Sequence, residues 1–177
     1  MSKGEHTSAK TYSMTELLVH ALAIELEAVQ SYKDLADQMN QCNNTEVSDL
    51  FLKMADLEAR HVETIRERAG DIELPEPAPW EYRWPGFEPP ENIDTDGIHY
   101  MMTPHQALTL ALENETNAMT FFADVAANTN DGGVRKLAEE FAEDERQHVA
   151  WMKKWLARFP VPDDDWDDDP DPPAAID

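Results

Sequence analysis

The chain has 177 residues and a formal charge of −23, which arises from 14 basic and 37 acidic side chains. This length suits one domain with a single apolar core, and this charge repels nucleic acid phosphates and anionic membranes, so we expect neither as a partner. The single cysteine, Cys42, excludes an internal disulfide, a cysteine-rich zinc site and a four-thiolate iron site, so any bound metal must have nitrogen and oxygen ligands.

Helical periodicity divides the chain into four segments between a polar beginning and an acidic end. Residues 1–13 are polar and lack the apolar stretch of a signal peptide, and no apolar run of about 18 residues follows, so we expect a soluble, cytoplasmic protein. Residues 159–177 have the composition of an acidic, disordered tail. Between them, apolar residues at three- and four-residue spacing predict four helices. These cover residues 14–39, 45–69, 104–128 and 132–157.

The connections between the predicted helices indicate how they are arranged. Short polar links join helix one to helix two and helix three to helix four, which predicts two antiparallel hairpins. The crossover between the hairpins, residues 71–103, is rich in proline and aromatic residues and is long enough to run back along a helix. We expect its Trp80, Trp84 and Phe87 to cover the bundle, and the alternative is that they form a surface for a partner. The prediction is an all-α, four-helix bundle over residues 14–158, made of two hairpins and one long crossover.

Each predicted helix has one glutamate on its apolar face, where glutamates are uncommon. Helix one illustrates the pattern, because Leu18, Leu22 and Tyr32 lie at helical offsets from Glu25. Its neighbour Glu27 instead shares a polar face with His20. The four glutamates on apolar faces are Glu25, Glu58, Glu115 and Glu145. Glu27, Glu113 and Glu143 lie on polar faces, and we expect them to be solvated.

Two histidines complete the pattern. His61 follows Glu58 and His148 follows Glu145 by three residues, so each pair projects from one face of its helix. A single Glu-x-x-His match on a helix is usually a coincidence of surface residues. Here, however, both matches lie on apolar faces, and each follows a lone glutamate that also lies on an apolar face. The second hairpin repeats this arrangement after 87 to 90 residues.

Buried carboxylates need protons or cations, and none of the lysines and arginines lies on these apolar faces. Two divalent metal ions would balance four carboxylates, with neutral imidazoles completing the coordination. A glutamate from each of two helices and Glu-x-x-His from each of the other two form the ligand set of di-iron and di-manganese bundles. The predicted metal ligands are Glu25, Glu58, His61, Glu115, Glu145 and His148.

Other polar residues carry weaker signals. Tyr32 lies two turns from Glu25, and it is either a hydrogen-bond partner of a metal ligand or an ordinary core tyrosine. We assign no function to the remaining histidines, because they lack partners at ligand spacing. These are His6, His20, His99 and His105.

At these residues the chain resembles the rubrerythrin branch of the ferritin-like superfamily, over roughly residues 14–157. The resemblance implies a ferritin-like bundle in which Glu25 and Glu115 are terminal ligands and His61 and His148 each bind one iron. It also implies that Glu58 and Glu145 bridge the two irons. Typical rubrerythrins have a further glutamate one turn after the ligand on the third helix, and here that position is Ala118.

The resemblance implies a di-iron carboxylate oxidoreductase that reduces hydrogen peroxide or dioxygen. Because the chain lacks the cysteines of a rubredoxin domain, it would need an external electron donor such as rubredoxin or a reductase. We expect two iron ions, for which manganese or zinc could substitute, and a homodimer. The alternatives are a ferroxidase that supplies an iron store, a di-iron oxygenase acting on an organic substrate, a manganese catalase, and an interaction module with purely structural metals.

Overall fold

The computed structural model describes residues 11–84, 89–93 and 98–168. The described regular elements are all helical, which confirms the predicted all-α bundle and its helix bounds to within two residues. The four α-helices are α1 (Met14–Gln41), α2 (Thr45–Ala69), α3 (Pro104–Asn128) and α4 (Gly132–Leu156). Helix α1 packs along α2, and α3 packs along α4, while contact between these two hairpins is sparser. None of the described helices is both long enough and apolar enough to cross a lipid bilayer.

Local sequence determines where the helices begin. The Ser13 hydroxyl accepts from the Glu16 N–H and the Glu16 carboxylate accepts from the Ser13 N–H, which forms a capping box at the start of α1. Thr103 and Gln106 form the same motif at the start of α3, where Pro104 occupies the first turn. At the start of α4, the Asp131 carboxylate accepts two backbone N–H groups.

The core consists of two apolar clusters, one toward each end of the bundle. Along α1, the residues up to Ile24 belong to the first cluster and the residues from Ala28 onward belong to the second. Glu25 therefore lies at the junction of the two clusters. The other three helices change from one cluster to the other at their own central glutamate in the same way. The sequence thus places all four glutamates at one level of the bundle.

The crossover is fixed to the bundle at both ends. Near its beginning, the Arg83 N–H donates to Nε2 of His20 at 3.0 Å, and the Tyr12 hydroxyl donates to the Arg83 carbonyl at 2.5 Å. Near its end, the Asn44 amide donates to the carbonyls of Tyr100 and Met102, at 3.1 and 2.7 Å. The expectation that His20 lies on a polar face is therefore wrong, because the crossover covers this histidine and leaves it 3% exposed.

The aromatic residues of the crossover behave differently from one another. Trp84 is buried against the first apolar cluster, as predicted. The prediction is wrong for Trp80, which is 83% exposed because it lies in the middle of a short 3₁₀ helix, Pro79–Glu81, on the surface. Phe87 lies outside the described residues.

Parts of the predicted terminal segments can be described as well. Tyr12 belongs to the first apolar cluster, and Phe159 packs against the second. The Trp166 ring lies edge-on to His99 at 5.4 Å between ring centroids. Residues 1–10, which include His6, and residues 169–177 lie outside the described part of the chain.

Candidate metal centre

The six predicted metal ligands meet at the junction of the two apolar clusters. The four glutamates are 1 or 2% exposed, and His148 is 6% exposed. His61 is more open, with 21% of its side chain exposed. The neighbouring glutamates at positions 27, 113 and 143 are exposed, so the helical faces were predicted correctly.

The centre has two halves, each formed by one hairpin. The first half consists of Glu25 from α1 with Glu58 and His61 from α2. In it, Nδ1 of His61 lies 3.6 Å from Oε2 of Glu25 and 3.5 Å from Oε2 of Glu58. These distances are too long for hydrogen bonds.

The second half consists of Glu115 from α3 with Glu145 and His148 from α4. Nδ1 of His148 lies 3.0 Å from Oε2 of Glu115 and 3.2 Å from Oε2 of Glu145. The rings of His61 and His148 are stacked at 4.2 Å between centroids, so the two halves are in direct contact. In both halves, Nδ1 is the histidine atom that faces the carboxylates.

Glu58 and Glu145 face both halves. Glu58 has an oxygen within 4.8 Å of ligand nitrogens of both His61 and His148. Glu145 belongs to one group with Glu25 and His61, and to another with Glu115 and His148, within the same distance limit. Glutamates in these positions are suited to bridge two metal ions.

The electrostatics of the centre favour the binding of cations. Burial raises the pKa of Glu25 and of Glu58 well above the usual range, and the charges of nearby carboxylates raise both further. Oε2 of Glu25, of Glu58 and of Glu145 has no hydrogen-bond partner among the described residues. Unpaired buried carboxylate oxygens are costly, and oxygen-rich sites with imidazole suit iron or manganese. The residues present therefore fit a pair of metal ions.

The two histidines differ in how strongly they bind protons. Burial lowers the pKa of His61 to about 4, and the positive charge on His148 contributes to this. Burial also lowers the pKa of His148, but the hydrogen bond to Glu115 and the close negative charges of Glu115 and Glu145 outweigh that effect and raise it to about 10. For Glu115, burial outweighs the His148 hydrogen bond and raises the pKa to about 7.

A fifth buried glutamate, Glu91, reaches the centre from the crossover, and the sequence pattern did not predict it. Glu91 is 2% exposed, and its Oε1 has no hydrogen-bond partner among the described residues. It forms a group of candidate ligands with Glu25 and Glu58, within 4.8 Å of one another. The sequence contains little signal for this residue, because the crossover has no periodicity from which an inward face can be inferred.

Tyr32 lies beside the centre. It is 1% exposed, and its burial raises the pKa of its hydroxyl well above the usual range. The negative charges of Glu115, Glu58 and Glu91 raise this pKa further. Ala118 is completely buried in the first apolar cluster, so α3 offers no carboxylate there.

A cavity of about 290 Å³ connects the centre with the surface between α2 and α4. Glu25, His61, Glu145 and His148 line its inner part. At its mouth, the Arg68 guanidinium forms ion pairs with Glu140 and with Asp144, the latter at 3.5 Å. Small molecules can therefore reach the histidine side of the centre.

Comparisons with known proteins agree with this geometry. The model of the family described as Rubrerythrin matches residues 16–156. An uncharacterised conserved protein from Magnetospirillum magnetotacticum MS-1, whose crystal structure is known, is 36% identical to this chain in sequence. The likeness covers 86% of this chain and 99% of that one, with a TM-score of 0.66. No curated protein matches the chain.

Proposed function

Because the chain belongs to the rubrerythrin family, we propose that it is a di-iron carboxylate oxidoreductase that reduces hydrogen peroxide or dioxygen with electrons from an external donor. The observation that carries the proposal is the buried cluster of four glutamates. Within the described residues, these glutamates form ion pairs with His61 and His148 only. Such a cluster needs cations, and the paired halves provide for two of them.

The ligand assignment follows the two halves. Glu25 and His61 would hold one metal ion, and Glu115 and His148 would hold the other. Glu58 and Glu145, which face both histidines, would bridge them. A pair of ferrous ions, when bound by these residues, would supply the two electrons that reduction of an O–O bond requires.

The surrounding residues favour a small oxidant. The cavity of about 290 Å³ lies at the lower end of the usual range for ligand pockets and suits hydrogen peroxide or dioxygen better than a bulky organic substrate. The apolar clusters above and below the centre exclude water from the bundle on those two sides, so that the cavity is the described route to the ligands. The raised pKa of Tyr32 keeps its hydroxyl protonated, so that it can donate a hydrogen bond beside the carboxylates.

An external donor needs a route for electrons. The Trp151 side chain is 46% exposed, and its ring stacks on His148 at 5.5 Å between centroids. This aromatic contact would connect the surface with a metal ligand. Rubredoxin or a reductase docking near Trp151 would be a suitable donor, and we propose a cytoplasmic homodimer as the working form.

Stopped-flow mixing of the anaerobic, ferrous-loaded protein with hydrogen peroxide or dioxygen tests the proposed function. We expect rapid ferric absorbance at a stoichiometry of two irons per chain. Oxidation no faster than that of free ferrous iron would refute the proposal.

Uptake of many irons into a hollow shell would instead favour iron storage, which the charge of −23 could assist by attracting ferrous ions. Manganese in the isolated protein together with oxygen release from peroxide would favour a catalase.

A further inference from the structure

The turn that contains Glu91 directs this residue into the bundle. The Asn92 N–H donates to the Pro89 carbonyl at 3.1 Å, which closes a turn around residues 90 and 91. Ile93, two residues after Glu91, is 5% exposed and packs in the second apolar cluster. This segment of the crossover therefore lies tightly on the helices, and Glu91 is buried without being part of any of them.

The environment of Glu91 leaves its charge uncompensated. The structure records no ion pair for it among the described residues, and its Oε1 has no hydrogen-bond partner there. Burying a carboxylate without a partner costs several kcal/mol, and such a group either stays protonated or binds a cation. Its neighbours Glu25 and Glu58 add further negative charge instead of compensating it.

We propose that Glu91 is a seventh metal ligand that belongs to the first half of the centre. This inference rests on the proposed dinuclear site. Glu91 groups with Glu25 and Glu58, the two carboxylates of the first half, and with neither histidine. The first metal would then have Glu25, Glu58, His61 and Glu91 available to it, whereas no crossover carboxylate among the described residues joins the second half.

The internal repeat accounts for the difference between the halves in the part of the chain that the structure describes. The repeat relates helices to helices, and the crossover occurs once in the chain. Ala118, one turn after Glu115, corresponds to Ala28, one turn after Glu25, so neither helix supplies a carboxylate at that point. The two metal positions would be chemically different, and binding of the first metal would tie the crossover to the bundle.

The variant Glu91→Gln distinguishes between two roles of Glu91, that of a metal ligand and that of a residue with a structural function only. Glu73→Gln is the matched control, because Glu73 is an exposed glutamate of the same crossover. The probe is Co²⁺ alone, titrated into the metal-free protein by calorimetry and followed by thermal unfolding with and without Co²⁺. Glu91→Asp, which retains the charge but shortens the side chain, is a second variant.

We expect wild type and Glu73→Gln to bind two Co²⁺ ions. Glu91→Gln should bind one of them unchanged and the other at least about tenfold more weakly, and Glu91→Asp should weaken the same one. Without metal, Glu91→Gln should unfold at the wild-type temperature or above it, because an unpaired buried carboxyl has been replaced. Addition of Co²⁺ should raise the unfolding temperature of Glu91→Gln less than that of wild type. This opposite behaviour with and without metal is not expected of a residue that acts only in packing.

Two results would overturn the inference. If Glu91→Gln binds both ions with wild-type affinity, or loses stability without metal while its affinities are unchanged, Glu91 is not a ligand. The proposed function would be unaffected by that result. If the wild-type protein itself binds fewer than two Co²⁺ ions, the dinuclear site and this inference both fail.

Discussion

The two halves of the metal centre have the same residue types in the same order, but their surroundings differ. In the second half, His148 forms close contacts with both carboxylates, at 3.0 and 3.2 Å, and is buried. In the first half, His61 lies farther from its carboxylates, borders the cavity, and is accompanied by Glu91. The second half therefore balances part of its negative charge with a protonated histidine, whereas the first half depends on an added cation.

The comparison shows that a sequence repeat predicts shared ligands but not equal sites. The helices repeat, while the elements that cover them do not. Tyr32 occupies the position after Glu25 that corresponds to Phe122 after Glu115, so one half of the repeat carries a hydroxyl that the other lacks. The following predictions test this difference, from the largest expected effect to the smallest.

Removing a carboxylate that faces both halves should remove both metals. We expect Glu145→Gln to lower the affinity for each of two Co²⁺ ions by about 100-fold, because each ion loses a ligand. Equilibrium dialysis measures this loss. Glu143→Gln, the same change at an exposed position on the same helix, should retain wild-type binding. Loss of one ion only would show that Glu145 does not bridge.

The two histidines should differ in their contribution to the stability of the metal-free protein. His148→Ala leaves two buried carboxylates without their partner and should lower the free energy of unfolding by about 3 kcal/mol or more. His61→Ala removes a ring without close contacts to carboxylates and should lower it by about 1 kcal/mol. Urea unfolding in the presence of a chelator measures both, and equal losses would contradict the difference between the halves.

The stability of the metal-free protein should depend on pH. A carboxyl whose pKa is raised by folding contributes stability that is present below its unfolded pKa and is lost as pH rises through its folded pKa. Glu115, with a pKa of about 7, and the more strongly shifted Glu25 and Glu58 should therefore lower the unfolding temperature by several degrees between about pH 6.5 and 8.5. His148, with a pKa raised to about 10, acts in the same direction.

Metal binding should abolish this decline, because cations replace the protons and the carboxylates are charged at every pH in the range. Thermal unfolding with and without Co²⁺ across that range measures the difference. An unfolding temperature that rises with pH in the metal-free protein would contradict the raised pKa values. His61 contributes little in this range, because its pKa falls from 6.5 to about 4 on folding and its effect on stability therefore lies mainly below pH 6.5.

Tyr32→Phe should have the smallest effect. The substitution gives the first hairpin a phenylalanine at the position that corresponds to Phe122 in the second hairpin. We expect two Co²⁺ ions to bind as in wild type, a stability change of about 1 kcal/mol, and peroxide-driven oxidation slowed by a few-fold if the hydroxyl assists. Loss of metal would show instead that Tyr32 positions a ligand.

Much of this molecule could be predicted from its sequence, because the relevant signals are local. Helical periodicity identified the four helices and the inward face of each, and this placed Glu25 and not Glu27 in the core. The environments of His20 and Glu91 could not be predicted in the same way. Both depend on where the crossover lies, and its position is determined by tertiary hydrogen bonds such as that from the Arg83 N–H to His20. Trp80 was misplaced for the same reason.

The division of the ligands between hairpins has a consequence for the order of folding. Contacts within a hairpin join residues near in sequence and form early, whereas docking of the hairpins must wait for a longer loop to close. Each hairpin carries a complete half of the centre, so its carboxylates stay hydrated until docking buries them. We therefore expect docking to be the slow step of refolding without metal. Metal ions that have already bound to a hairpin would speed this step, because the docked state then no longer buries uncompensated charge.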